Sequence, residues 1–432
     1  MCRSHIGWKI WGIAALAMSV GSFATTAGAA VKPGDVITPQ NAWQVKDLVS
    51  PGVYYMVTRG MEMDIVPSGR IDWPPPHKDA TEKYSSQVRL SEDHRSLVGY
   101  VAGQPFPLMD TNDPQVGTKI MWNNVFRPIS TDDYDVRFYD CQSEYVNPGH
   151  AQKIVYDLQV GHYAGYDLVG RTEVEPLPVD PDFKLTGRMW LFGLYPLLAP
   201  QEARGQGLIR YRYADPRRGD DDWGWTPGTR RIRRLNEALN SSAIGAQSFD
   251  PDHYSGFNPK TEEYNYKFLG EKEMLAVVHA KHSPEITCPT DGGASACPED
   301  WEMRHIYVVE ATPNRAIGAA GNVLDQDTVV YMDSELWFEP YVDGYDQTGA
   351  LWRANIFWAA YRDRPVPDAK VAIYPFKREF IVGSARYDVQ SGFATMCYLP
   401  GQNTPERECW YINMGAVDKD FFTTTAMVKA AP

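Results

Sequence analysis

Residues 350 to 360 read ALWRANIFWAA, and the even positions, Ala350, Trp352, Ala354, Ile356, Trp358 and Ala360, are all apolar. The odd positions include Arg353 and Asn355. Successive side chains of a strand point to opposite faces, so this segment predicts a strand with one face buried. Asp346-Gln347-Thr348-Gly349 before it suits a type I turn, with Asp first and Gly last. The stretch before that turn supplies a partner strand carrying Leu336, Phe338, Pro340 and Val342 on one parity and Trp337, Glu339 and Tyr341 on the other.

Similar aromatic and β-branched runs recur between Gly, Pro, Asp and Asn clusters: GVYYMVTRGMEMDIV from 52, QKIVYDLQVGHYAGYDLVG from 152, GLIRYRYAD from 207, EYNYKFLGEKEMLAVV from 263 and RHIYVVEAT from 304. Short spacing of this kind predicts antiparallel sheet rather than βαβ units. Helix signals are few. Thr38-Pro39 followed by Trp43, Val45, Leu48 and Val49 predicts a capped short helix, Leu235 to Ala246 a second, and Tyr195 to Arg204 a third. The Pro-rich DWPPPHKD at 72–79 reads as an exposed connection or arm. The expectation is a mainly β (α+β) chain, one large antiparallel sheet with a few helices.

The N-terminus predicts export. Arg3 and Lys9 precede an apolar run from Ile10 to Phe23, and Ala27-Gly28-Ala29 has the small-x-small cleavage pattern, so residues 1–29 read as a secretory signal peptide cleaved near Ala29. The run is short of the ~20 residues that a membrane span needs, and no later stretch reaches that length. Removing Arg3 and Lys9 takes the formal net charge from −13 to −15. Phosphate backbones repel so acidic a protein, which excludes nucleic acid as a partner class. In an oxidising compartment the cysteines close in sequence, Cys288 with Cys297 and Cys397 with Cys409, are the expected disulfides, leaving Cys141 over.

GWTPGTRRIRRL at 224–235 puts four arginines into five positions of this acidic chain. A hairpin turning at Pro227-Gly228 would set Trp225 opposite Arg230, Trp223 opposite Ile232, Asp222 opposite Arg233 and Asp221 opposite Arg234. The arginines then find their partners locally, each worth about 0.2–1 kcal/mol on an exposed sheet. The functional alternative gives Arg231 and its neighbours an anionic head group or a partner protein to read.

Catalytic signatures are missing. The sequence has no G-x-S-x-G, no H-E-x-x-H, no Walker A and no G-x-G-x-x-G, and its histidines are scattered, so no cofactor or metal is expected. A glycosidase remains open on sequence, because its two carboxylates meet in space rather than in sequence.

Several strings in order, GYVAGQPFP at 99–107, MWNN at 121–124, WTPGTRRIRRL, YNYKFLGEKEM at 264–274, IYVVEATP at 306–313 and the YMDSELW to YDQTGALWR double hairpin, resemble domain of unknown function 1329. The resemblance runs through most of the chain after the signal peptide. It implies a fold related to the LolA and LolB lipoprotein carriers: an incompletely closed, curved antiparallel β-barrel with helices over its concave face, formed here by residues 30–432 as a single domain with an N-terminal arm. It also implies a periplasmic, non-enzymatic carrier or acceptor of lipid-like or other hydrophobic cargo, working with outer-membrane barrel proteins and inner-membrane exporters. Trp337, Phe338, Trp352, Ile356 and Trp358 are the candidate lining of the groove, with Trp223, Trp225, Arg230 and Arg231 near its rim. The alternatives are a periplasmic carbohydrate-active hydrolase and a non-catalytic envelope scaffold.

Overall fold

The computed structural model describes residues 31–129, 131–145, 157–235, 248–250, 252–253, 256–281, 299–314, 327–399 and 410–431. Short pieces come first: β1 (Val36–Ile37), α1 (Pro51–Thr58), β2 (Met63–Ile65), α2 (Pro75–Tyr84), the small hairpin β3 (Arg89–Leu90) and β4 (Leu97–Val98), and α3 (Val116–Val125). Residues 52–58 are therefore helical, not the expected strand. Ser50 caps α1 by accepting from Val53 N at 3.1 Å, and Pro51 occupies its first turn. Val53, Met56 and Val57, at helical spacing, are buried.

Cap chemistry also corrects the Pro-rich stretch. Pro74 is the N-cap of α2, with proline at its first positions, where a missing N–H costs nothing, and His77 and Thr81 one turn apart are buried. The helix expected after Thr38 is a 3-10 turn, Ala42–Val45. Tyr195 to Arg204 is not a helix either: Pro196 and Pro200 interrupt it. Of the candidate from Leu235 to Ala246, all but Leu235 lies outside the described residues.

Two meanders follow. The first comprises β5 (Asp133–Tyr145), β6 (Asp157–Asp167), α4 (Pro181–Thr186), β7 (Arg188–Leu194), β8 (Gly207–Tyr213), β9 (Asp221–Thr226) and β10 (Arg231–Arg234). The second comprises β11 (Tyr264–Ala276), β12 (Glu299–Pro313), β13 (Asp327–Asp333), β14 (Tyr341–Tyr345), β15 (Leu351–Arg362), β16 (Arg378–Asp388) and β17 (Phe393–Tyr398), before β18 (Trp410–Ile412) and α5 (Thr424–Ala430). β17 pairs antiparallel with β5, so the two meanders join into one 16-stranded sheet. All its ladders are antiparallel except β12 with β2. The terminal strands of the path, β1 and β10, do not pair with each other, so the sheet stays open instead of closing into a barrel.

Cys141 of β5 and Cys397 of β17 are direct partners in this seam and form a disulfide. Cys397 is thus bonded to Cys141 and not to Cys409, because strand register, rather than nearness in sequence, brings its partner into reach. Cys288, Cys297 and Cys409 lie outside the described residues.

Of the crossover between β10 and β11, residues 248–250 and 252–253 lie over one face of the sheet. Ser248 N donates to Thr395 Oγ1 at 2.8 Å, Asp250 Oδ2 lies 3.0 Å from Arg386 Nη2, and Asp252 Oδ1 accepts from Arg210 Nη1 at 2.8 Å. Arg210 and Arg386 come from strands that a flat sheet would hold about 24 Å apart. Both are tied to carboxylates two residues apart, so the sheet bends toward this crossover, helped by bulges in β5, β12's partner β11, and β15's pairing with β16.

Helices cover both faces, not only the crossover side. Val116, Ile120 and Met121 of α3 pack with Val309, Val330 and Val342 on the crossover side. On the opposite side α1 lies so close to the sheet that a Cβ at Gly52 would run into Asp343 Oδ1 and the Ala354 methyl. Every residue from Ala354 to Ala360 is consequently buried, on both parities of β15, where one buried face was expected.

Candidate functional site

Alternate residues of β6 and β7, Tyr163, Gly165 and Asp167 with Trp190 and Phe192, line one cavity, joined by Tyr134 of β5, Ile381 of β16 and Trp410 of β18. Gly165 pairs with both Tyr134 and Phe192, and a Cβ there would overlap the Tyr134 ring, so the absence of a side chain makes room for the aromatic one. Ring centroids pack at 6.0 Å for Tyr134 and Tyr163, 5.9 Å for Tyr163 and Phe192, and 6.3 Å for Tyr163 and Trp410. The other wall comes from the end of α3 and its exit, Val125, Phe126, Arg127 and Ile129, and from Tyr100, whose ring stacks on Phe126 at 3.8 Å. The cavity is partly open to solvent, with a volume of about 120 Å³. It has room for one compact group or the end of a chain, against the ~300–1,000 Å³ of pockets that enclose a whole drug-sized ligand.

Three polar side chains set the electrostatics. Burial, then the neighbouring charge of Asp132, pushes the Asp167 carboxyl up to about 8, so it is mostly protonated at neutral pH. Its Oδ2 accepts from Asp132 N at 3.2 Å. Burial lowers His77 to about 4 against the weaker pull of its Gln104 hydrogen bond, which keeps the imidazole neutral. Arg127 donates from Nη1 to Asn124 O at 2.7 Å and lies over the Phe338 ring.

Asp132 and Arg171, just behind the cavity, are structural. The Asp132 carboxylate accepts from Thr172 N, Glu173 N and Val174 N at 2.7–2.8 Å. Arg171 donates to the carbonyls of Asp132 at 3.0 Å and Asp167 at 2.8 Å. Among the described residues no group of three or more His, Cys, Asp or Glu could hold a metal ion.

None of the nine ligand residues named from the sequence lines this cavity. Ile356 and Trp358 sit in the core on the α1 side of β15. Trp337 stacks on Tyr307 at 5.8 Å, and Phe338 packs edge-on against Phe357 at 5.5 Å, touching the cavity only through Arg127. Trp352 donates its indole N–H to Asp388 at 3.0 Å. Trp223 and Trp225 pack beside Met427 of α5.

Arg230 and Arg231 are exposed on the edge hairpin, whose register differs from the expected one by two. Pro227–Thr229 forms a 3-10 turn and Arg230 is left-handed at φ 50°, so Ile232 faces Trp225 and Arg234 faces Trp223. Asp221 still pairs with Arg234, but Asp222 turns inward to Arg210 at 2.8 Å. Among the described residues Arg230, Arg231 and Arg233 have no ion-pair partner. The signal for the actual cavity lay in GHYAGYD and MWLFG, where glycines alternate with aromatics: a strand with room on one face.

An open, bent, mostly antiparallel sheet with a small, partly open aromatic cavity between it and a helix end defines a class of β-rich protein. The chain belongs to the family described as Protein of unknown function (DUF1329), which matches residues 36–428. Among solved structures it is similar to a putative outer membrane lipoprotein-sorting protein domain from Vibrio parahaemolyticus, at 15% identity and TM-score 0.47, over 73% of this chain and 100% of that one. A DUF1329 family protein from Desulfovibrio piger ATCC 29098 is similar at 13% identity and TM-score 0.47, over 73% and 100%. A LolA superfamily protein from Nitrosomonas europaea is similar at 12% identity and TM-score 0.38, over 70% and 94%. No curated protein matches the chain. Among the described residues no helix is long and apolar enough to cross a membrane.

Proposed function

We propose that the protein is a periplasmic carrier or acceptor that holds part of a hydrophobic or lipid-like molecule in this cavity and performs no covalent chemistry on it. The observation that carries the reading is the cavity wall: Tyr134, Tyr163, Phe192, Trp190 and Trp410 border a partly open volume that the surrounding side chains leave unfilled. Each methylene moved from water into such a site contributes about 0.8 kcal/mol, so even a short segment binds usefully. Hand-over to outer-membrane barrel proteins and delivery from inner-membrane exporters complete the proposal. Asp167 is the one carboxyl among the lining residues, whereas sugar hydrolysis needs a pair about 5–9.5 Å apart, which favours carrying over hydrolysis.

The test is lipid extraction and mass spectrometry of the purified protein, with titration of small amphiphiles followed by tryptophan fluorescence. Co-purifying lipid, or a saturable change that Trp190→Leu abolishes, supports the carrier. An empty protein that no amphiphile perturbs overturns it. The cavity's volume of about 120 Å³ favours one second reading, an envelope scaffold whose sheet is an interaction surface. That reading predicts the empty, unresponsive outcome together with a stable protein partner.

A further inference from the structure

Asp167 is an acid placed among rings, and among the described residues it makes no salt bridge. Its carboxyl borders the cavity, and among the described residues the one hydrogen bond made to it comes from Asp132 N. A neighbouring guanidinium, Arg171, donates to backbone carbonyls: Pro176 O at 3.0 Å, Asp132 O at 3.0 Å and Asp167 O at 2.8 Å. The walls are the faces and edges of Tyr134, Tyr163, Trp190, Phe192 and Trp410. Aromatic faces attract a weakly hydrated cation, most strongly where water is excluded, and a carboxylate beside them supplies the counter-charge.

Resting on the reading of this cavity as a ligand site, we propose that it binds an alkylated ammonium group, with Asp167 as its counter-ion and the surrounding rings as its walls. A cavity of about 120 Å³ suits such a head, given that one of about 150 Å³ accepts benzene. Arg127 lines the same cavity and repels a bare cation. The ligand that fits best therefore carries an anion beside its ammonium, as a choline-type zwitterion does.

Binding is coupled to a proton. The empty site holds Asp167 protonated below about 8. A bound cation selects the carboxylate, and the acid proton leaves to solvent: one O–H bond breaks, one ion pair forms, and nothing is oxidised or reduced. The charges facing Asp167 are Asp132 and Asp133, which favour the cation, and Arg171 and Arg127, which oppose it. Tyr100 and Tyr134 are raised by burial, and His77 is lowered to about 4, so none of these changes charge between pH 5 and 9. Observed affinity should rise about tenfold per pH unit up to about 8 and then level off, with close to one proton released per site well below that pH.

The experiment is isothermal titration of the full protein with phosphocholine, choline and 3,3-dimethyl-1-butanol, the uncharged carbon analogue of choline, at pH 6 to 9 in buffers of different ionisation heat. Phosphocholine binding at least tenfold tighter than the alcohol, with the stated pH slope, supports the proposal. Loss of that preference in Asp167→Asn supports it further, and the wild-type pH slope is decisive by itself if that variant does not fold. Depletion of phosphatidylcholine vesicles would identify a lipid source for the head group, and binding of phosphocholine alone a soluble one. Equal binding of alcohol and choline overturns the ammonium assignment while leaving the cavity a ligand site. Binding of none of the probes, with amphiphile binding intact, also overturns it. If amphiphile binding is lost as well, the carrier reading falls too.

Discussion

Cys141 and Cys397 face each other across β5 and β17 with their Cα atoms 4.0 Å apart, 256 residues apart in sequence. This bond fastens the first strand of one meander to the last strand of the other. A crosslink over so long a separation removes much of the unfolded chain's freedom, and native disulfides commonly contribute about 2–4 kcal/mol. Cys141→Ser should lower the unfolding free energy by that order in denaturant titration. Peptide mapping without reduction should recover Cys141 linked to Cys397 and leave Cys409 outside that bond; a Cys397–Cys409 peptide would refute the seam.

Asp343 predicts a loss of stability as pH rises. Burial pushes its carboxyl up to about 7, although Gly52 N at 2.9 Å and Ser50 Oγ at 3.0 Å donate to it. In the unfolded chain the same group titrates near ~3.9. The folded state therefore holds its proton more tightly, and the stability this gives is full below about pH 4 and lost as pH climbs through about 7. Over that window the term is on the order of 4 kcal/mol. Urea melts of wild type and Asp343→Asn between pH 4 and 8 should diverge, the variant lacking this part of the decline.

Asp250 predicts the opposite slope. Burial alone would raise its carboxyl, but Arg386 and then His253 override that and hold it far below the usual range. Its contribution is present above the unfolded value near ~3.9 and lost as acid drives the pH down toward the folded value. Asp250→Ala strands the buried Arg386 guanidinium, and removing one partner of a buried pair commonly costs about 3–5 kcal/mol. Hydrogen exchange should show the segment from Ser248 to Asn258 losing protection first. Unchanged stability in Asp250→Ala would show that the crossover is not anchored there.

Gly165→Ala tests the cavity without replacing Asp167, His77 or Arg127. The added methyl overlaps the Tyr134 ring, which must swing toward the empty volume. Overpacking of this kind costs about 1–3 kcal/mol. Amphiphile binding should weaken in the same variant, and binding at wild-type strength would place the cargo elsewhere.

The strands were readable because alternation is local. The turn at Asp346 to Gly349, with Gly349 N bonded to Asp346 O at 2.9 Å, and the long strands of GLIRYRYAD, EYNYKFLGEKEM and RHIYVVEAT lie where their own residues put them. Reading failed where a short signal opposed a longer one. Val53, Tyr54, Tyr55 and Val57 spoke for a strand, yet the Ser50 cap and Pro51 started a helix and α1 found an apolar bed on β15. The hairpin register slipped by two because the loop closed over Pro227 to Arg230 instead of two residues. The cavity was the least legible part, since Tyr134, Asp167 and Trp190 lie on consecutive strands but Ile381 and Trp410 reach them only because β17 and β18, far along the chain, pair with β5. The apolar face of residues 350–360 was real, but α1 covers it.

The pairing of β5 with β17 has a consequence for how such a chain is made. A ribosome releases β5 more than 200 residues before the strand that belongs beside it, so the early half must wait with a bare flank of peptide groups while the rest is synthesised. Maturation thus hinges on the arrival of the latecomer, and a helper that shields that flank in the interval would protect the yield of finished molecules.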